Sequence, residues 1–150
     1  LLPKGHRVSR AMVLKRTPEE VFAVVSDVGN GATWRAGVKS VAVSTVDGRL
    51  QYREDSSDGV INYEVMESQP PTLFVTRIAD PDLPFGGTWT IRLQPAPQGT
   101  NISITEDGEV RNIVFRFVSR FILGHTKSID RYLTSLAAKF GETADATIPR

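Results

Sequence analysis

Two side chains stand out as able to move a proton. His125 lies in a long stretch of helical apolar periodicity, one turn from Phe121 and one turn from Ile129. An imidazole on that face would point at whatever the helix covers, where its pKa can be tuned for proton transfer. The same position suits a core histidine hydrogen-bonded to a strand residue. Glu106 is the second. In Ile102-Ser103-Ile104-Thr105-Glu106, alternation places Glu106 on the face of Ile102 and Ile104. If that face is inward, the carboxylate is an acid or base whose pKa rises when it is buried unpaired. A solvated or salt-bridged carboxylate is the plainer reading, and Gly108 suggests a bulge that would re-aim the strand end. Facing each other across a hollow, Glu106 and His125 would form an acid–base couple.

A second group would bind rather than react. Tyr52, Glu54, Tyr63 and Arg77 lie in strands with apolar residues on both faces, so the pattern leaves their direction open. A buried Arg77 needs a carboxylate from protein or ligand; an exposed one makes a surface ion pair. Trp34 and Trp89 read as core or rim packing, or as platforms for a ligand. Phe85, ahead of Gly86-Gly87, would plug a cavity mouth if residues 80–87 form a lid hinged on the glycines. A plain connecting loop is the alternative. Phe121 and Ile129 complete the ligand-facing set around His125.

These residues must be positioned by a simple order of elements. A strand over about His6 to Lys15 precedes Thr17-Pro18-Glu19-Glu20, a capped helix start with proline in the first turn and glutamate three residues after the cap. That helix runs to about Ser26 and is broken by Gly29, Asn30 and Gly31. A short turn around Ala32 to Arg35 carries Trp34. Strands follow at Val38–Val46 and Arg49–Ser56 around Asp47-Gly48, a hairpin turn. Further strands span Val60–Gln69, Thr72–Ile78, Thr88–Gln94 and Thr100–Val110. Short turns between neighbours predict an antiparallel meander.

The last element is an amphipathic helix over about Ile113 to Phe140, roughly 42 Å long. Its apolar stripe carries Val114, Val118, Phe121, His125, Ile129, Tyr132, Leu136 and Phe140. Gly124 interrupts the helix interior at a cost of about 1 kcal/mol relative to alanine. Arg116, Arg120, Lys127 and Arg131 cluster opposite the stripe, as a solvated face or as a contact for anionic lipid headgroups. A lone long helix after a strand run must bury its stripe on that sheet.

Bulk properties narrow the function classes. One core over residues 1–150 suits the length, with residues 141–150 read as a frayed tail. Net charge is +1, which gives no global pull toward nucleic acid. Cysteine is absent, so disulfides, thiolate chemistry and cysteine-based zinc sites are excluded. With two histidines, a multi-histidine metal site is not expected, and no cofactor is implied. No stretch is long and apolar enough to span a bilayer.

The pieces Thr17-Pro18-Glu19-Glu20-Val21-Phe22, Asp27, Trp34, Pro70-Pro71, Gly87-Thr88-Trp89 and Gly99-Thr100 together resemble the START-like, or SRPBCC, superfamily. Ile104-Thr105-Glu106-Asp107-Gly108-Glu109-Val110 and Phe115-Arg116-Phe117 resemble its polyketide cyclase/dehydrase-like group. The resemblance covers nearly the whole chain. It implies an α+β helix-grip fold of the Bet v 1 type, with a curved antiparallel sheet of six to seven strands around the terminal helix. It also implies an apolar cavity that binds a hydrophobic small molecule, a lipid or polyketide-like compound. The alternatives it carries are a cyclase or dehydratase using an acid–base group in that cavity, and a protein-interaction module. The glycine-rich loop of the plant pathogenesis-related members is missing, since Asp47-Gly48 is only a tight turn. Similar members carry a membrane anchor ending near a Leu-Pro such as Leu2-Pro3, so residues 1–5 read as the remnant of a removed segment. The expected setting is cytoplasmic, membrane-anchored in the longer form, as a monomer or homodimer.

Overall fold

The structure, a computed structural model, describes the backbone of residues 5–110 and 115–145 and the side chains of residues 5–109 and 127–145. Within them, β1 (Gly5–Leu14) leads to α1 (Pro18–Ser26) and a 3-10 helix (Val28–Thr33). Then come β2 (Val38–Val46), β3 (Arg49–Ser56), β4 (Gly59–Gln69), β5 (Leu73–Ile78), β6 (Phe85–Ala96), β7 (Gly99–Val110) and α2 (Phe115–Lys139). The strands form one sheet in the order β1-β7-β6-β5-β4-β3-β2, and every neighbouring pair is antiparallel. β2 to β7 is therefore the expected meander, and β1 joins its far end. With α2 across one face, this is the helix-grip arrangement.

Local chemistry explains the joints. The Glu20 amide donates to Thr17 Oγ1 at 3.2 Å, and Thr17 Oγ1 donates to Glu20 Oε1 at 3.3 Å. Such a cap stabilises a helix by about 1 kcal/mol. The β2–β3 turn has φ of 51° at Asp47 and 78° at Gly48, the left-handed pair that a two-residue hairpin requires. A register shift between Val65 and Glu67 places Met66 as an extra residue in β4.

The core lies between the sheet and the two helices. Met12, Leu14, Ile91, Leu93, Ile102 and Ile104 come from the inner face of β1, β6 and β7. Val21, Phe22 and Val25 come from α1. Ile129, Tyr132, Leu133, Leu136 and Ala137 come from α2. That spacing (i, i+3, i+4, i+7, i+8) is one helical face. Each fully buried leucine or isoleucine contributes roughly 1.5–3 kcal/mol.

Four local readings change. The turn expected at Ala32 to Arg35 is instead a 3-10 helix that includes the glycines, with Trp34 and Arg35 just after it. Asn30 N donates to Asp27 O and Asn30 Nδ2 to Asp27 Oδ2, which winds the chain there. Phe85, Gly86 and Gly87 belong to β6, paired with Val110, Glu109 and Gly108, so the irregular loop shortens to residues 79–84 and loses its glycine hinge. Gly87 serves close strand approach: a Cβ there would stand 2.5 Å from Asp107 O. Gly108 is no bulge, because β7 keeps register on both sides. Instead the His6 ring lies over it, and a Cβ at 108 would fall 2.3 Å from His6 Cε1. Finally, the Glu142 carboxylate accepts from Lys15 N, and Ala144 packs on the core, so the chain just past Gly141 is tied to the end of β1.

Candidate functional site

Between the inner face of the sheet and α2 lies a cavity of about 470 Å³. Its apolar wall is built from Val25 and Val28, Ile61 of β4, Phe74 and Ile78 of β5, and Phe85 and Ile91 of β6. Two-residue alternation explains this wall. Tyr52 pairs with Tyr63, Glu54 with Ile61, Thr76 with Trp89 and Trp89 with Glu106, so all of these share the inner face.

An aromatic group organises the middle. The Tyr132 ring meets Trp34 edge-on at 5.2 Å and Trp89 at 5.5 Å. Tyr52 and Tyr63 stack at 5.1 Å between ring centroids. The Arg35 guanidinium stands 5.2 Å over the Tyr132 ring, a favourable cation–π position. Arg35 Nη1 pairs with Glu54 Oε1 at 2.5 Å, and Glu54 is only 5% exposed. The cavity therefore holds an internal ion pair on an aromatic floor.

Other polar groups have defined partners. Trp89 Nε1 donates to Glu106 Oε1 at 3.0 Å. The Tyr52 phenol and the Thr76 hydroxyl are both part of the cavity lining. Ala36 N donates to Ser135 Oγ at 3.0 Å, which ties the segment after the 3-10 helix to α2. At the rim, Arg131 Nη1 donates to Ser57 Oγ at 3.0 Å and Nη2 to Asp58 Oδ2 at 3.2 Å, bridging α2 to the β3–β4 turn.

Burial raises the pKa of Tyr52, Tyr63 and Tyr132, and the Glu54 carboxylate pushes each further the same way. Arg35 pulls in the opposite direction on all three. The phenols thus keep their protons at neutral pH and act as hydrogen-bonding groups rather than bases. Among the described residues, no group of three His, Asp or Glu could hold a metal ion.

Trp34, Tyr52, Tyr63, Phe85, Trp89 and Glu106 of the sequence-based set all line the cavity. Arg77 does not. It lies on the outer face, half-exposed, with Nη2 donating to Glu64 Oε1 at 3.4 Å. Its β5 neighbours Phe74, Thr76 and Ile78 take the inner positions, so alternation turns Arg77 outward. Ile129 is fully buried in the core beneath the cavity rather than in its wall. His125 and Phe121 fall outside the described side chains, as do Arg116 and Arg120, so the proposed Glu106–His125 couple rests on a residue outside them. Arg131, expected on a solvated basic face, belongs to the cavity rim.

Arg35, Tyr132, Thr76 and Ser135 have cavity roles that the sequence reading missed. Tyr132 was visible as part of the helical stripe. Arg35 follows a glycine-containing 3-10 helix, where no periodicity assigns a direction.

No helix among the described residues is long and apolar enough to cross a membrane. No curated protein matches the sequence. Among solved structures, the di-domain ARO/CYC StfQ from the steffimycin biosynthetic pathway matches with TM-score 0.75 at 12% identity. That match covers 89% of this chain and 50% of StfQ, so the chain spans about half its length. A START superfamily protein from Mycobacterium smegmatis matches with TM-score 0.65 at 20% identity, covering 92% of this chain and 94% of that one. Ara h 8.0201 matches with TM-score 0.67 at 11% identity, covering 93% and 100%. Likeness at these identities establishes the fold. Residues 5–141 match the family described as "Polyketide cyclase / dehydrase and lipid transport". The chain belongs to that polyketide cyclase/dehydrase and lipid transport family.

Proposed function

We propose that this chain binds a hydrophobic small molecule, a lipid or polyketide-like compound, in the cavity between sheet and α2. Family and fold both suit a hydrophobic-ligand or cyclase-like role. The observation that carries the binding reading is the cavity itself: about 470 Å³, with an aliphatic and aromatic wall and with charged and hydroxyl side chains among its lining. Ligand pockets typically run from about 300 to 1,000 Å³ with that kind of lining. The test is native mass spectrometry on protein purified from its native host, with organic extraction of whatever co-purifies. The expected result is a stoichiometric apolar adduct that is weakened in Ile78→Trp, which narrows the cavity. A folded wild-type protein that carries no adduct and takes none up from a lipid extract would refute the reading.

Turnover of such a ligand is the second reading. It draws on Glu106, a carboxylate in the cavity wall held by the Trp89 indole. A cyclase or dehydratase would need it as an acid or base. If Glu106→Gln leaves conversion of a bound polyketide-like substrate unchanged, that role is lost.

A further inference from the structure

We propose that the cavity selects an uncharged ligand bearing a hydroxyl donor, and that the Arg35–Glu54 pair sets this selectivity. The proposal rests on the cavity being a ligand site and names the chemistry it admits.

Among the described residues, the cavity wall contains two guanidinium groups, and both are engaged by carboxylates of the protein. Arg35 holds Glu54 at 2.5 Å, and its flat face lies on Tyr132. Arg131 holds Asp58 at 3.2 Å and Ser57 at 3.0 Å. A ligand carboxylate has to displace one of these partners or lie beside it. Displacing Glu54 strands a carboxylate that is only 5% exposed, the kind of unpaired buried charge that folded proteins avoid. Lying beside it sets two like charges at close range. An uncharged ligand meets neither obstacle.

The same pair offers an uncharged ligand something positive. A carboxylate has about four acceptor positions on its two oxygens, and Arg35 engages Oε1. A ligand O–H donating to Glu54 would form a charge-assisted bond, roughly twice as strong as a neutral one. The neighbouring Tyr63 phenol, kept protonated by burial and by Glu54, can donate to a ligand oxygen but cannot neutralise an anion. An aromatic or alicyclic body against Ile61, Phe74 and Ile78, with its hydroxyl at Glu54, fits this distribution.

Calorimetric titration at neutral pH with 2-naphthol and with 2-naphthoate, its carboxylate counterpart, tests this. The proposal predicts that wild type binds 2-naphthol at least about tenfold more tightly, a difference of about 1.4 kcal/mol. In Glu54→Gln, Arg35 is released from its partner, and the preference shrinks to about threefold or reverses. Asp58→Asn, an exposed rim change that spares the core, frees Arg131 and shifts the preference the same way by less. Equal or tighter binding of 2-naphthoate to wild type overturns the selectivity. So does a preference that moves in neither variant, since the gap would then reflect probe hydrophobicity alone. If neither probe binds wild type, or if neither changes the fluorescence of Trp34 and Trp89 on binding, the cavity-binding reading itself falls. If both bind wild type equally and both change that fluorescence, only the selectivity falls.

Discussion

Two glutamates on adjacent strands make the same kind of contact on opposite faces of the sheet. Glu54 of β3 points inward to Arg35; Glu64 of β4 points outward to Arg49 and Arg77. Their side chains are similarly covered, 6% and 11% exposed. The arginines differ. Arg35 is 24% exposed and pinned on the Tyr132 ring, while Arg49 and Arg77 are 55% and 47% exposed. Glu64 is covered by long side chains that themselves stand in water, so salt and solvent screen the interaction. Glu54 is covered by the protein interior and by a pinned partner. Which face of the sheet a carboxylate occupies, more than its own exposure, decides what its ion pair does.

Breaking the inner pair should have the largest effect. Arg35→Met leaves Glu54 unpaired beside the stacked tyrosines and should destabilise the fold by about 3 kcal/mol, read by urea unfolding. Removing both charges with Arg35→Met and Glu54→Leu should recover most of the loss, because well-packed apolar groups substitute for a buried pair at little cost. A single Arg35→Met variant as stable as wild type at neutral pH would show that water already reaches Glu54.

An intermediate effect is expected at Trp89. Trp89→Phe keeps an aromatic ring near Tyr132 but removes the indole donor to Glu106, which should cost about 1.5–3 kcal/mol in thermal or chemical unfolding. A change near zero would mean that other contacts of Glu106 suffice.

The outer pair should matter least. Glu64→Gln should shift the unfolding midpoint no more than an ordinary surface substitution, and high salt should remove the difference. The Arg49 hydrogen bond, followed by the charges of Arg77 and Arg49, holds the Glu64 carboxyl below its usual pKa against an opposing desolvation effect. Any stability it contributes is present at neutral pH and is lost as pH falls through its folded pKa. A salt-insensitive loss at Glu64 as large as that at Arg35 would erase the contrast between the two faces.

The fold was readable in the sequence because local rules agreed with one another. The Thr17 cap, the Asp47-Gly48 turn and the 3.6-residue stripe of α2 each named an element, and the meander followed from short connections. Alternation puts Glu106 on the face of Ile102 and Ile104, but a solvated carboxylate is the plainer reading of the sequence, and only the structure shows that this face lines the cavity. Tyr52, Glu54, Tyr63 and Arg77 were not placed, because apolar residues occupy both faces of their strands and Met66 breaks the alternation of β4. Arg35 was invisible for another reason: it follows a 3-10 helix, and tertiary contact with Tyr132 and Glu54 alone fixes its direction. Arg131 lies off the apolar stripe, yet the β3–β4 turn reaches it at the rim. Hydrophobic pattern locates the cavity; the polar groups inside it are set by contacts between distant segments.

The central claim is that the cavity takes up a hydrophobic molecule, and the chain has a built-in reporter for it. Its two tryptophans, Trp34 and Trp89, both line the cavity. Titration with 1-bromonaphthalene, an uncharged heavy-atom quencher, should quench their fluorescence saturably at about one equivalent, as expected for a single site. Quenching that rises linearly without saturation, with the slope of free tryptophan amide in the same buffer, would contradict the claim.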